Sequence, residues 1–366
     1  MGSVDGGGRG VNTRIVTRAA SGYPRSMPPG PPGARVIING GERVLHSEEG
    51  RPLLFTAMAE KIFIPSACGG RASCRQCRVR VLSGAPEHVP EERAILSASE
   101  MARGVHLACQ LRAREETRIE LPGGYLRARQ YHGRVARIRD LAPDMREVEL
   151  DLLEPARMSF LAGQYIQFLR PGSENNPRPV YRAYSMASPP SRASRLSLLF
   201  ARVPGGECTS YVFDRLRTGG MVTVNGPFGV FHLRESTRQI IFVAGGSGIA
   251  PIRAMVMDMA EKGIARRATF FFSAHAPADL LYAKDMRALE RNLPGFNFIP
   301  VLSRPAPGDR WDGEKGGLPA ALMRLLPELD DHEAYLCGGP GLIDASINAL
   351  KSKGLRDQLI FFDKFS

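Results

Sequence analysis

Three cysteines lie within ten residues of the chain, in the segment CGGRASCRQC at positions 68–77, and a fourth follows at position 109. Their spacing is Cys68-x5-Cys74-x2-Cys77-x31-Cys109. Zinc sites are usually built from two paired knuckles, whereas three ligands on one loop and a distant fourth are typical of a plant-type [2Fe–2S] centre. The usual first gap of that centre has four residues, and this chain has five. The spacing favours an iron–sulfur cluster, with a zinc site or free thiols as the alternatives.

The composition of this loop suits a negatively charged centre. Gly69 and Gly70 allow backbone N–H groups to turn toward the sulfurs. Positive charge comes from Arg71, Arg75, Arg78 and Arg80. The other two cysteines, Cys208 and Cys337, lie far away along the chain, so a disulfide framework is not expected.

The overall charge excludes some classes of function. The 366 residues contain 49 Lys and Arg against 37 Asp and Glu, a net charge of +12. Because the basic residues are scattered, we expect no nucleic-acid binding, although a basic surface would attract an acidic protein partner. No segment approaches twenty apolar residues and no signal peptide is visible, so we expect a cytoplasmic protein without a transmembrane segment of its own.

The elements that must position the cysteines form a small α+β unit over residues 35–122. A hairpin is predicted at Asn39–Gly40–Gly41. An amphipathic helix and further strands are predicted over 51–61, 77–84, 106–113 and 116–122. Residues 1–34, which are rich in glycine, proline and arginine, are predicted to be a disordered basic tail.

Two further domains are predicted after this unit. Residues 126–236 alternate apolar and polar positions in short segments between Gly, Pro and Asp turns, which indicates a β-barrel or sandwich. Residues 237–366 change to a strand–helix–strand rhythm with apolar strands, which indicates a doubly wound α/β domain. In that domain VAGGSGIAP, at 243–251, ends a strand and opens a helix, and its glycines would let the backbone approach a diphosphate.

The cysteine segment also carries a family resemblance. ACGGRASCRQCRVRVLSG, together with HLACQ, resembles the ferredoxin domain of the F-subunit of the Na⁺-translocating NADH:quinone reductase, in which a first gap of five is normal. The similarity extends from about residue 35 to 366 and includes the ferredoxin–FAD–NAD reductases that serve multicomponent oxygenases. It implies a β-grasp [2Fe–2S] ferredoxin domain, an antiparallel β-barrel FAD domain and a doubly wound α/β NAD domain. The implied cluster ligands are Cys68, Cys74, Cys77 and Cys109.

A flavin motif follows in the barrel. RAYSMAS, at 182–188, resembles the R-x-Y-S motif of the ferredoxin–NADP⁺ reductase superfamily. The resemblance implies that Arg182 pairs with the FAD pyrophosphate, that Tyr184 lies against the isoalloxazine ring, and that Ser185 bonds near N5. By itself the motif is short enough to be an ordinary barrel strand.

A second flavin element lies in GGECTSYVFDRL. Gly206, Thr209 and Ser210 are predicted to open a helix whose N-terminal N–H groups form an anion site, which the resemblance assigns to the flavin pyrophosphate. The segment GPFG at 226–229 is implied to close the barrel.

The resemblance assigns the nicotinamide cofactor to the last domain. The VAGGSGIAP turn resembles the G-G-x-G-x-x-P turn of the superfamily and supplies Gly245, Gly246, Gly248 and Pro251. The segment LCGGPG at 336–341 resembles its second element, with Cys337 beside the nicotinamide and Gly338 and Pro340 nearby. A buried strand cysteine is the alternative for Cys337.

Two positions bear on cofactor choice and geometry. Family members place a C-terminal aromatic ring against the flavin, and Phe365 fits that place, with a frayed terminus as the alternative. Where NADPH users carry basic residues for the 2′-phosphate, this chain offers Ser273 and His275. NADH is therefore the expected cofactor.

Together these motifs imply an NADH-dependent oxidoreductase in which hydride passes to FAD and single electrons leave through the [2Fe–2S] cluster. Since no N-terminal membrane helix like that of the F-subunit is seen, we expect a reductase that serves a separate protein, such as an oxygenase component. The alternative is a module like the F-subunit, peripheral to a membrane quinone reductase complex at the inner membrane. A non-catalytic zinc-binding scaffold is the alternative from another class.

Overall fold

Three sheets, of five, six and six strands, follow one another along the chain. They are seen in a computed structural model that describes residues 33–66, 68–122, 124–173, 176 and 179–365. The tail predicted over 1–34 lies outside the described residues except for its last two, and Ala34 already begins a strand. The predicted combination of α+β, β-barrel and doubly wound α/β folds is confirmed.

The first sheet carries the cysteine loop. Its strands run in the order β2-β1-β5-β3-β4, with β1 and β5 parallel and the other neighbours antiparallel, as in a β-grasp fold. Their bounds are β1 Ala34–Ile38, β2 Arg43–Ser47, β3 Arg78–Ser83, β4 Val105–Leu107 and β5 Glu116–Glu120. The helices of this part are α1 Leu53–Ala59, α2 Pro90–Arg93 and α3 Ala98–Ala102.

One strand of this sheet is shorter than predicted. The strand expected over 106–113 ends at Leu107, whose carbonyl accepts the N–H groups of Gln110 and Leu111 at 2.8 Å each. Cys109 therefore lies in a turn, not in a strand. The turn is capped by α1, since the backbone N–H of Leu54 donates to Ala108 at 2.9 Å, and it points Cys109 back toward the loop that carries the other three cysteines.

The second sheet is entirely antiparallel, in the order β10-β7-β6-β11-β8-β9. A bridge between Met186 and Leu198 joins its two edges, so the sheet curls into a barrel. The strands are β6 Arg129–Ala142, β7 Met145–Glu154, β8 Tyr165–Arg170, β9 Val180–Ser185, β10 Arg195–Ala201 and β11 Met221–Phe228. The four-residue helix α4, Glu207–Ser210, follows β10.

The third sheet is entirely parallel, in the order β15-β14-β13-β12-β16-β17. Its strands are β12 Gln239–Gly245, β13 Ala268–Ala274, β14 Phe296–Leu302, β15 Glu314–Lys315, β16 His332–Gly338 and β17 Ile360–Lys364. The helices are α5 Ile249–Lys262, α6 Ala283–Asn292, α7 Leu318–Leu325 and α8 Pro340–Ser352. The strand order reverses between β12 and β16, which creates a switch-point crevice at their carboxyl ends.

A buried hydrogen bond joins the barrel to the α/β part. The Arg253 side chain, from α5, donates to the carbonyl of Ala187 at 2.6 Å, and within the α/β part it also pairs with Asp285 at 3.0 Å. Ala187 lies inside the predicted flavin motif, so this contact fixes the first turn of α5 against that motif. Among the described residues, no helix combines the length and the apolar character that crossing a membrane requires.

Candidate functional site

The cysteine loop has an unusual backbone. Gly69 and Gly70 have positive φ angles of 67° and 93°, and so do two residues with side chains, Ala72 at 58° and Arg75 at 59°. Left-handed residues in close succession turn consecutive N–H groups toward one side of the chain. Strain of this kind persists only where the surrounding structure requires it.

Several backbone N–H groups of the loop act on the thiols. Those of Ser73 and Cys74 stabilise the Cys68 thiolate, and that of Ala72 stabilises the Cys109 thiolate. The backbone of Gln76 does the same for Cys74. The loop therefore favours negative charge on sulfur through residues that follow the two glycines, because the N–H groups of Gly69 and Gly70 donate to Ser66, at 3.4 and 3.0 Å.

The four thiols interact as two pairs. A hydrogen bond with Cys74 lowers the pKa of Cys68 to about 3, against the effect of burial, and the same contact raises the pKa of Cys74 above its usual range. In the other pair, the hydrogen bond between Cys77 and Cys109 lowers the pKa of Cys109 and raises that of Cys77. Cys74 is half-buried, whereas the other three are buried.

Two pairs fit a two-iron centre better than a single zinc ion. A tetrahedral zinc site with Zn–S bonds of about 2.3 Å places all four sulfurs about 3.8 Å apart. In the described part of the chain, the one group of three or more candidate ligand atoms within 4.8 Å of one another is His88, Glu92 and His106, which includes no cysteine. No three of the four cysteine sulfurs therefore lie as close together as one tetrahedral zinc ion requires, whereas a two-iron [2Fe–2S] centre spreads its four thiolates over two metals.

The group of His88, Glu92 and His106 does not fit a metal. The two imidazole rings are stacked with centroids 4.0 Å apart and planes 3° from parallel, so no ion can lie in both ring planes. The Glu92 carboxylate already accepts the N–H groups of Leu107 at 2.7 Å and Val89 at 3.2 Å. This cluster anchors β4 to α2.

The arginines of the loop divide into two kinds. Arg75 and Arg78 pair with Glu100 at 3.2 and 3.1 Å, so part of their charge is neutralised. Arg71 is exposed, and its Nε donates to the carbonyl of Cys68 at 3.1 Å. The rim of the loop beside the half-buried Cys74 therefore keeps an excess of positive charge.

A cavity of about 2310 Å³ runs from the cysteine loop past the barrel to the C-terminal strand. Pockets for one small ligand are about 300–1,000 Å³, so this one has room for an extended dinucleotide cofactor. It brings together many of the predicted site residues, namely Cys68, Cys74, Arg182, Tyr184, Ser185, Gly206, Thr209 and Phe365. The others lie outside its lining: Cys77, Cys109, Ser210, Gly245, Gly246, Gly248, Pro251, Ser273, His275, Cys337, Gly338 and Pro340.

The flavin motif lines the cavity from β9. Arg182 directs Nη1 at the carbonyls of Tyr181, at 2.8 Å, and Cys68, at 3.3 Å, so one guanidinium touches both the barrel and the cysteine loop. The Tyr184 hydroxyl donates to the sulfur of Cys208 at 3.5 Å. Sequence reasoning missed Cys208, although it lies inside the GGECTSY segment.

The turn after β10 is fixed from both sides. The Thr209 hydroxyl donates to the carbonyl of Gly206 at 3.2 Å, and the Glu207 carboxylate pairs with the buried Arg170 at 2.8 Å. The helix predicted to begin here has only four residues before it widens into a π-turn over Tyr211–Arg215. Its first residues still face the cavity.

The two glycine turns of the α/β part meet at the switch point. A Cβ at Gly248 would lie 2.2 Å from the carbonyl oxygen of Cys337, and a Cβ at Gly338 would lie 3.2 Å from that of Gly245. Only glycine permits this approach at Gly248. The turns predicted to bind the nicotinamide cofactor are thus adjacent, and Ser247 and Ala250 of the first turn line the cavity.

The positions predicted to select the cofactor lie at the end of β13. The His275 ring bonds the Ser303 hydroxyl at 2.9 Å, and the His275 carbonyl accepts the backbone N–H of Arg304 at 3.0 Å. Arg304 was missed because it follows the next strand of the sheet. Its side chain is exposed.

The C-terminal segment forms a strand that the sequence did not predict. β17 pairs with β16 in parallel, and the N–H of Phe365 donates to Gly338 at 2.9 Å, so this residue is not frayed. Cys337 is fully buried, and burial raises the pKa of its thiol. Its register partner Asp363 lines the cavity, and burial raises the pKa of that carboxyl to about 6. Asp363 is a third residue that sequence reasoning missed.

Family models match three parts of the chain. They describe a 2Fe-2S iron-sulfur cluster binding domain over 36–114, an oxidoreductase FAD-binding domain over 132–233 and an oxidoreductase NAD-binding domain over 242–347. These matches confirm the predicted cofactors, which are a [2Fe–2S] cluster, FAD and NAD.

Curated relatives match nearly the whole chain. The F-subunit of the Na(+)-translocating NADH-quinone reductase of Neisseria meningitidis is 31% identical over 367 residues, covering 89% of this chain and 90% of that protein. The F-subunit of the same enzyme in Psychrobacter cryohalolentis is 30% identical over 380 residues, covering 90% and 92%.

Solved structures match over a similar length. The Amycolatopsis cytochrome P450 reductase GcoB superimposes with a TM-score of 0.74 at 29% identity and covers 91% of this chain and 98% of its own. The ferredoxin reductase of a carbazole 1,9a-dioxygenase has a TM-score of 0.70 at 24% identity and the same coverage, and shows the shared fold.

Proposed function

Because the chain belongs to the family of the F-subunit of Na⁺-translocating NADH-quinone reductase, together with related ferredoxin–FAD–NAD reductases, we propose that it oxidises NADH and passes single electrons to a separate protein. It is an oxidoreductase with domains for NAD, FAD and a [2Fe–2S] cluster. In this proposal the three domains extend over 35–122, 126–236 and 237–366.

The observation that carries the proposal is the shared cavity. Arg182, Tyr184 and Ser185 line the same space as Cys68 and Cys74. Bound in this space and beside it, the cofactors supply hydride acceptance by the flavin and one-electron transfer by the cluster. Since Ser247 and Ala250 of the first glycine turn line the same space, cofactors bound there would lie next to one another and next to the cysteine loop.

The side chains around the flavin site would bind the flavin and orient its ring. Arg182 offers a guanidinium to a diphosphate and also holds the carbonyl of Cys68, so it links flavin binding to the cysteine loop. Ser185 is buried at the end of β9, where its hydroxyl can bond a ring nitrogen. Phe365 covers the cavity from the C-terminal strand and must move aside for a nicotinamide ring.

The residues of the nicotinamide site form the binding surface for the cofactor and take no chemical part in the reaction. The adjoining turns at Gly248 and Gly338 would hold the diphosphate and the nicotinamide end, and the buried Cys337 would support that end. Ser273 and His275 would lie beside the adenosine ribose. Since the thiol of Cys337 has a raised pKa, it stays neutral and takes no nucleophilic part.

The acceptor in this proposal is a separate protein such as an oxygenase component. The likeness to a cytochrome P450 reductase over 98% of that chain supports this acceptor class. The second candidate is a peripheral module of a membrane quinone reductase, which the names of the curated relatives favour. In both cases the protein works on the cytoplasmic side.

One experiment tests the proposed electron path. The purified protein is assayed for flavin, iron and zinc, and NADH is then added without air while the visible spectrum is followed by rapid mixing. We expect one flavin and two irons per chain and two successive bleaching phases, of the flavin first and the cluster second. A colourless zinc protein, or a cofactor-loaded protein that does not bleach, contradicts the proposal.

A further inference from the structure

We propose that Gln76 is a positioning residue that fixes the cluster loop against the flavin barrel through a hydrogen bond with Tyr165. The inference rests on the proposed order of carriers, from flavin to cluster. In that step a flavin reduced by one hydride would give one electron to the cluster, the acceptor would reoxidise the cluster, and the second electron would then follow, with one proton released to water. The step depends on how the loop and the barrel are held.

Gln76 lies between two of the predicted cluster ligands, Cys74 and Cys77. Its side-chain oxygen accepts a hydrogen bond of 2.9 Å from the Tyr165 hydroxyl. Its backbone oxygen accepts a second, longer one of 3.4 Å from Tyr125. The residue is thus held by two tyrosines, one of them in the barrel.

Tyr165 is a rigid donor. It begins β8 and is buried with 7% of its surface exposed, and burial raises the pKa of its phenol well above the usual value, so the proton stays on oxygen. Its ring packs on Phe228 at a centroid distance of 5.6 Å. A Cβ at Gly229 would lie 3.1 Å from two ring carbons, so the missing side chain there leaves room for the ring.

The position of Tyr165 in the barrel links its hydrogen bond with Gln76 to the predicted flavin site. Tyr165 is the register partner of Ser185, the predicted partner of flavin N5. One strand pair and one hydrogen bond therefore connect the flavin side of the barrel to the peptide between Cys74 and Cys77. This short connection, from Ser185 through Tyr165 to Gln76, would hold the cluster loop at a fixed position relative to the flavin.

Two other contacts hold the opposite end of the loop. Gln167 donates to the carbonyl of Ser66 at 3.1 Å, and Arg182 donates to that of Cys68 at 3.3 Å. Both acceptors are backbone atoms at the start of the loop. They keep the loop attached when the Gln76 contact is lost, so removing that contact alters the geometry without separating the domains.

The test compares Q76M and Y165F with the wild type, each loaded with flavin and iron, by rapid mixing with NADH. We expect flavin bleaching at the wild-type rate and cluster bleaching slowed by about tenfold, because a misplacement of reacting groups by about 1 Å can cost up to about a hundredfold in rate. The double variant should be no slower than either single one, because the two side chains act as a unit. Q130M, which removes a barrel glutamine that bonds Asn225, is the matched control.

Two readouts separate positioning from a general loss of structure. The midpoint potential of the cluster should be unchanged in Y165F, and amide hydrogen exchange over 68–77 in the oxidised holoprotein should become faster. Unchanged cluster bleaching, or equal slowing of both phases, overturns the inference. If the wild type itself shows no cluster phase after flavin bleaching, the proposed order of carriers is wrong. In that case the exchange data still report whether Gln76 holds the loop.

Discussion

The Tyr282 hydroxyl donates a hydrogen bond of 2.8 Å to the Glu147 carboxylate across the junction between the barrel and the α/β part. Glu147 is buried with 3% of its surface exposed, and Ser197 and Arg139 bond it as well, each at 2.8 Å. Burial by itself would raise the pKa of Glu147, but the hydrogen bonds from Ser197 and Tyr282 and the charge of Arg139 lower it. The junction that must bring the nicotinamide onto the flavin thus contains a fully bonded carboxylate.

Y282F should destabilise the protein without changing its shape. The substitution leaves a buried carboxylate oxygen with one donor fewer, which costs about 1–3 kcal/mol in the free energy of unfolding. Urea unfolding of the flavin-loaded protein, followed by flavin release, measures this cost. Y211F is a suitable control because it removes the hydroxyl of a half-buried barrel tyrosine. Equal midpoints for the two variants would show that Tyr282 contributes nothing at the junction.

Asp363 gives a prediction about pH. Burial raises the pKa of its carboxyl to about 6, so the folded chain holds this proton more tightly than the unfolded chain, in which the pKa is about 3.9. Its contribution to stability is therefore present in full below about pH 4 and is lost as the pH rises through about 6. The effect should be about 1–2 kcal/mol, since the carboxyl lines a cavity and keeps some contact with water.

The measurement compares the wild type with D363N, both free of flavin, by urea unfolding between pH 4 and 7.5. The wild type should lose stability relative to D363N as the pH rises. Parallel curves over the whole range would mean that this carboxyl titrates normally.

The sequence predicted the barrel and the α/β fold because their strands differ in apolar pattern. The short segments over 126–236 alternate apolar and polar residues, whereas the strands after residue 237 are apolar on both faces and alternate with helices. Prediction from the sequence pattern failed where contacts between residues distant in sequence determine the structure. The turn at Cys109 depends on capping by α1, and β17 exists because β16 offers a free edge, although the segment itself looks like a terminus.

The same division applies to the candidate site. Cysteine spacing and short motifs identified residues whose neighbours along the chain share their task. Four residues were missed because their roles depend on contacts with a strand or loop that is distant in sequence, namely Gln76, Cys208, Arg304 and Asp363. Nothing in the spacing of Gln76 indicated that Tyr165, 89 positions later, would bond its side chain.

C74A should separate the two halves of the electron path. Cys74 is the half-buried member of the cysteine set, and its loss leaves Cys68 without the partner that stabilises its thiolate. We expect normal flavin content and normal flavin bleaching by NADH, with low iron and almost no reduction of cytochrome c. Ferricyanide, which accepts electrons from flavins directly, serves as the control and should still be reduced. Loss of flavin bleaching in a folded, flavin-loaded C74A protein would show that the carriers act in another order.

The positive rim beside Cys74 predicts the charge of the acceptor. Since Arg71 is exposed and bonds only a carbonyl among the contacts of the described residues, an acidic protein should dock there faster than a basic one. With cytochrome b5 as an acidic probe, R71E should lower the second-order rate constant by about tenfold at low salt, and added salt should slow the wild type. R43E is the matched control, because Arg43 begins the edge strand on the far side of the first sheet. A wild-type rate that increases with salt would exclude an acidic docking partner at this rim.

Cofactor preference follows from the end of β13. Ser273 and His275 offer hydrogen bonds but no permanent positive charge, so a 2′-phosphate bonded by these two side chains would lack charge-assisted bonds. We expect a ratio of kcat/KM for NADPH over NADH well below one. H275R, which places a guanidinium at this position, should raise the ratio by about tenfold, whereas R304A should leave it unchanged. A wild-type ratio above one, together with a large decrease in R304A, would identify Arg304 as the phosphate ligand and make NADPH the cofactor.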